Sequence, residues 1–127
     1  GATNWMSPSF NPITNLFYVM VLEGCRSGPN TFHIKAIDPT SGNIVWDYST
    51  RGSNMVAPGV LSTGGGIVFS GEGSGHVTVL DAKNGDKIWD FNVGKPIFAS
   101  PVTYLSEGKQ LISIVAGSDV VTFGLHY

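Results

Sequence analysis

Ala36-Ile37-Asp38-Pro39-Thr40-Ser41-Gly42-Asn43-Ile44-Val45-Trp46 recurs 43 residues later as Val79-Leu80-Asp81-Ala82-Lys83-Asn84-Gly85-Asp86-Lys87-Ile88-Trp89. Both copies read as an apolar strand, an Asp, a turn closed by Gly, a short strand and a Trp. The match widens on both sides. His33 pairs with His76, Ile34 with Val77, Asp47 with Asp90 and Tyr48 with Phe91. Self-similarity at a fixed period of this size is the mark of a repeat architecture.

No convincing helix is visible. The periodic segments are short, rich in Val, Ile, Phe, Tyr and Thr, and bounded by Gly, Pro, Asn or Ser, which are strand and turn signals. A first unit reads as strands over 5–10, 16–22, 32–37 and 43–48, with Ile44 and Trp46 on one face of the last and Val45 on the other. Residues 23–31, including Cys25, read as an exposed loop. A second unit repeats the plan over 58–61, 67–70, 76–80 and 86–91. A third opens at 99–104, turns at Ser106-Glu107-Gly108, runs through 110–116 and ends on 120–125, one strand short of four. Pro8, Pro58 and Pro101 open the three units. Four antiparallel strands per period of about 40–45 residues describe a β-propeller blade. The expectation is an all-β partial propeller in one domain over 1–127, with blades over 4–50 and 54–93 and an incomplete blade over 96–127. Closed propellers often complete their last blade with a strand from the other end of the chain, so an ending on a third strand is expected of a propeller C-terminus.

Composition agrees with this. Hydrophobic residues make up 42% and charged residues 13% of 127, with 17 Gly and 7 Pro for the turns. Such a chain can fill a β-rich interior. A net charge of −2 without a Lys/Arg cluster gives no footprint for nucleic acid. No apolar run approaches the ~20 residues of a membrane span. Cys25 is the single cysteine, so no internal disulfide is possible.

The turn between the strands has its own physics. The Gly permits a conformation that a side chain opposes, and the Asp can accept turn amides. The indole is a large flat apolar surface with one N–H donor. Trp46 and Trp89 are therefore expected to lie against the neighbouring blade, each N–H reaching a main-chain carbonyl.

The stretch from Ala36 to Trp46 resembles the tryptophan-docking motif of the quinoprotein dehydrogenases, propeller enzymes that use pyrroloquinoline quinone (PQQ). The stretches 3–12, 59–69 and 100–104 with 108–110 are similar to the C-terminal third of the same family, in order. The resemblance implies the C-terminal segment of a periplasmic PQQ-dependent alcohol (or sugar) dehydrogenase, with PQQ and Ca²⁺ in the central channel of the intact parent. Its partners would be a small alcohol and an electron acceptor. The cation ligands, the general base and the stacking Trp of that family fall N-terminal to this stretch, so the fragment alone is expected to be inactive and to bind neither group. Asn4 matches a family position whose side chain reaches the PQQ edge; its alternative role is to cap a strand-end turn. Trp5 is read as core or channel lining, or as a cofactor contact. Ala57 falls where many members carry a Trp against PQQ. The rival reading is a non-catalytic propeller scaffold that holds proteins in the bacterial envelope.

Other candidates carry less. His33 and His76 should lie a blade apart, as satisfied strand histidines. Asp38, Asp81, Asp86 and Asp90 read as turn residues, and Gly71-Glu72-Gly73-Ser74-Gly75 as a hairpin, because it opens no helix. His126 lies near a terminus, and Cys25 has no partner His. A three-blade piece also exposes blade faces and an unpaired sheet edge, so self-association is expected.

Overall fold

The computed structural model describes residues 3–24, 28–52 and 57–126. Residues 25–27, Cys25 among them, lie outside the described residues. Strands β1 (Ser9–Asn11), β2 (Leu16–Glu23), β3 (Thr31–Ile37) and β4 (Ile44–Ser49) form the first antiparallel sheet, in that order. Strands β5 (Val60–Ser62), β6 (Ile67–Gly71), β7 (His76–Asp81) and β8 (Lys87–Asn92) form the second. Strands β9 (Val102–Ser106), β10 (Lys109–Ala116) and β11 (Asp119–Gly124) form a three-stranded third sheet. No helix occurs among the described residues. The chain is a partial β-propeller of two full blades and one three-stranded blade.

Two corrections to the sequence reading have a clear cause. The first strand begins at Ser9 rather than Trp5, and Trp5 is 64% exposed rather than core. The β3–β4 ladder shifts register between Ala36 and Ile37. That bulge breaks the simple alternation. Trp46 turns inward while both Ile44 and Val45 stay exposed. The same shift recurs between Val79 and Leu80 in the second sheet.

The first two sheets pack face to face. Leu16, Tyr18, Met20, Phe32, Ile34, Ala36 and Trp46 of the first meet Val60, Val68, Leu80 and Ala82 of the second. Alternate residues of each strand supply this face, as a pleated strand requires. Trp46 Nε1 donates to the main-chain carbonyl of Ala82 at 3.1 Å. Its ring lies over Gly85, where a Cβ would meet it at 2.7 Å. Tyr18 packs beside it, with ring centroids 5.7 Å apart, and its hydroxyl donates to the same Ala82 carbonyl at 2.8 Å. Asp38 and Asp81 accept turn amides, from Thr40 at 2.8 Å and Lys83 at 2.7 Å. The expected staple is therefore present at this junction.

At the second junction the staple is different. Trp89 is 42% exposed and stacks beside Phe91 and edge-on to Phe123. Phe69, Val77, Val79, Ile97, Ile114 and Ala116 form the core there.

Gly42 and Gly85 occupy the same turn position with φ of +75° and +76°, but a Cβ at Gly42 would meet nothing within 4 Å. Gly42→Ala is expected to cost about 1–2 kcal/mol from backbone strain alone. Gly85→Ala carries the same strain plus about 1–3 kcal/mol for lifting the Trp46 ring. Urea denaturation of the two variants measures the difference, and equal losses would show that the Trp46 seat contributes nothing.

Candidate functional site

Antiparallel pairing puts the blade-to-blade connections and the β2–β3, β6–β7 and β10–β11 turns at one end of the sheets. Asn4 and Trp5 precede the innermost strand β1 at this end. Both side chains are exposed, while the adjacent Met6 is buried in the same core cluster as Ala57.

The three entry segments converge on Gly59. A Cβ there would lie 2.2 Å from Ser100 Oγ and 2.9 Å from the Ser7 carbonyl. Val60 N donates to that Ser7 carbonyl at 2.9 Å. Just beyond, the hydroxyls of Ser9 and Ser62 hydrogen-bond at 2.6 Å, and Asn11 Nδ2 donates to the Thr63 carbonyl at 3.0 Å. Three strand entries thus meet at one small residue, which sets where Asn4 and Trp5 are presented.

Beneath this end lies a carboxylate that sequence reasoning passed over as part of a hairpin. Glu72 does sit in the β6–β7 turn, yet its side chain has no solvent exposure. It accepts from Arg51 N at 2.5 Å, from Arg51 Nε and Nη2 at 3.0 Å each, and from the Thr78 hydroxyl. Arg51 Nη1 reaches Asp90 Oδ2 at 2.6 Å. Asp90 belongs to β8 and Asp81 to β7, so neither is confined to a turn as the sequence suggested. Burial opposes ionisation of Glu72, but the hydrogen bonds from Arg51 and Thr78 outweigh it and hold the carboxyl below its usual range. The same contacts raise the Arg51 guanidinium further above its already high value. The pair joins the exit of the first blade to the interior of the second. A void of about 10 Å³, room for one water, adjoins it between Met20, Phe32, Ala57 and Pro58. No local pattern marks this network, because Arg51 lies 21 residues from Glu72 and 39 from Asp90.

His33 and His76 lie on different sheets, as expected. His33 Nδ1 sits 2.7 Å from Asp47 Oδ1 and Nε2 3.1 Å from the Thr31 hydroxyl, and His76 Nδ1 contacts Ser74 at 3.0 Å. Glu23, His33 and Asp47 have ligand atoms within 4.8 Å of one another. Lys35 pairs with both carboxylates of this group, so an ammonium already takes the place a cation would need. The group is on the open face of the first sheet, away from the second sheet.

The PQQ_2 family, described as outer membrane protein assembly factor BamB, matches residues 30–121. The chain belongs to this family. The quinoprotein alcohol dehydrogenase PedH of Pseudomonas putida is 36% identical over 92% of the chain. The chain spans about a quarter of that relative's length, 24%. The crystal structure of the quinohemoprotein alcohol dehydrogenase from Comamonas testosteroni superposes with a TM-score of 0.81 at 24% identity, over 92% of this chain and 22% of that one. BamB from Moraxella catarrhalis superposes at 0.61 with 15% identity, over 92% of this chain and 48% of that one. Both structures share the propeller fold. The chain is a propeller of this family whose sequence is similar to the quinoprotein alcohol dehydrogenases, and the sequence resemblance to them holds.

Glu72 titrates below its unfolded value near 4.5, so its contribution is fully present above that pH and is lost as pH falls through the folded value. Glu72→Gln is expected to cost about 2–3 kcal/mol near neutrality, a moderate loss because Arg51 keeps some access to water. It should also flatten the acid limb of stability below about pH 4.5. Chemical denaturation at several pH values checks both effects, and an unchanged acid limb would remove Glu72 as its source.

Proposed function

We propose that this chain is one sector of a larger periplasmic dehydrogenase that oxidises an alcohol (or sugar) and passes electrons to a separate acceptor. The carrying observation is the 36% identity to a quinoprotein alcohol dehydrogenase across 92% of the chain. Bound in the longer protein, PQQ would supply a hydride acceptor and Ca²⁺ a Lewis acid.

The residues present fit one wall of such a site and no more. Asn4 offers an amide that can donate to a quinone or carboxylate oxygen, and its exposure at the strand-entry end leaves it free to do so. Trp5 offers an exposed apolar ring beside it. Ala57 is 1% exposed in the core cluster with Met6, so it offers no ring to this wall. Gly59 and Arg51 hold the wall in place through the contacts described above. The cation ligands and the base belong to other sectors, and the isolated chain is inactive. Alone it self-associates through the open face of the third sheet, where Val102 and Val120 are exposed, and a clean monomer by light scattering at high concentration would refute this.

The second reading is a scaffold that binds other proteins in the bacterial envelope, and the match of the family model to residues 30–121 favours it. Binding of PQQ separates the two. The longer protein is expected to bind PQQ in the presence of Ca²⁺, and Asn4→Ala to weaken binding about ten-fold by loss of one hydrogen bond, with stability unchanged. Absence of PQQ binding with Ca²⁺ added would decide for the scaffold.

A further inference from the structure

The two copies of the docking turn differ at one place that bears on their chemistry. The first reads Ser41-Gly42 and the second Asn84-Gly85, the single Asn-Gly pair of the chain. Asparagine is thermolabile, and most so before glycine, where no side chain shields the next amide nitrogen. Once deprotonated, Gly85 N can attack Asn84 Cγ. A C–N bond forms, the Cγ–Nδ2 bond breaks, and the Gly85 proton leaves with Nδ2 as ammonia. The product is a five-membered imide. Water then opens it at either carbonyl. Opening at Cγ gives aspartate. Opening at the main-chain carbonyl gives isoaspartate, whose main chain runs through Cβ and is one carbon longer.

Asn84 is exposed, so water has access. The fold nevertheless holds each reacting group. Gly85 N donates to the Asp81 carbonyl at 2.9 Å, which retains its proton. Asn84 Oδ1 accepts from Asp86 N at 2.9 Å. Asn84 N donates to Asp81 Oδ1 at 3.3 Å, and that carboxylate opposes a second negative charge in the turn. Trp46 closes the seat, its ring 2.7 Å from where a Gly85 Cβ would stand. The Gly85 backbone cannot rise toward the Asn84 side chain without lifting the indole. In the first copy nothing lies within 4 Å of a Cβ on Gly42, and the residue before it is a serine with no amide to lose.

We propose that Asn84-Gly85 is a modification site guarded by the docked indole. The imide forms while Trp46 is lifted, and the longer isoaspartyl turn then keeps the ring from reseating. The modified fraction therefore records how often the first blade junction opens. The guard operates alike in a dehydrogenase and in a scaffold.

The test holds the longer protein in mildly alkaline buffer and digests samples briefly with trypsin. Cleavage after Lys83 and Lys87 releases Asn84-Gly85-Asp86-Lys87, whose amide, aspartyl and isoaspartyl forms separate by chromatography. Loss of the amide form is expected to be about ten-fold slower in the folded protein than in urea. Trp46→Phe keeps a ring over Gly85 but has no Nε1 to hold it on Ala82. It should speed the folded rate about five-fold, while Trp89→Phe leaves it unchanged. Equal rates in the folded and unfolded protein would overturn the guard. So would no response to Trp46→Phe, or an equal response to Trp89→Phe. Should Trp46→Phe fail to fold, sub-denaturing urea on the unaltered protein replaces it. The rate should then rise before the global transition, and a rise only with global unfolding overturns the guard. The modified fraction, separated by its added negative charge, should unfold at lower urea, and an unchanged midpoint would overturn the unseating of Trp46.

Discussion

The indole of Trp46, laid over Gly85 with its N–H on the Ala82 carbonyl, is the contact on which the blade arrangement depends. A flat ring can lie this close only where the turn beneath it has no side chain. The hydrogen bond then fixes the ring along the turn, and the Tyr18 hydroxyl, donating to the same carbonyl, fixes a second strand to it. One main-chain oxygen therefore sets the spacing of two sheets. At the next junction the homologous Trp89 meets Phe91 and Phe123 instead, and the sheets there are held by aliphatic packing around Ile97 and Ile114.

Charge does a different job. Apolar sheet faces resist separation but slide easily past one another, because dispersion contacts are not directional. The Arg51–Glu72 pair removes that freedom. Its guanidinium meets a carboxylate in fixed geometry, and the Arg51 amide binds the same carboxylate, so side chain and backbone are held together. The cost of burying Glu72 is offset only with all these donors in place, which makes the pair a test of correct blade registry more than a source of net stability.

Together these contacts present the strand-entry end. Gly59 receives Ser7 from one blade and Ser100 from another, and Arg51, just past β4, is tied to Glu72 of the second blade. Asn4 and Trp5 lie exposed at this end, ahead of β1. That separation of exposed end from buried support suits a family whose propellers serve both as dehydrogenases and as assembly factors.

The repeat from Ala36 to Trp46 was enough to determine the strand order, the turn glycines, the acceptor role of Asp38 and Asp81, and the family. Each is a property of short stretches, in which turn chemistry and pleat periodicity act between neighbours. The tertiary structure alone decided the rest. The bulge after Ala36 turned Ile44 outward, because register depends on the partner strand. Trp5 proved exposed and Trp89 half-seated, because burial depends on what the next blade supplies. Glu72 looked like one more hairpin residue, and only folding brought Arg51 and Asp90 to it. Long-range electrostatics joins residues that no local pattern relates, so the residues that hold the wall were invisible where those that shape the turns were plain.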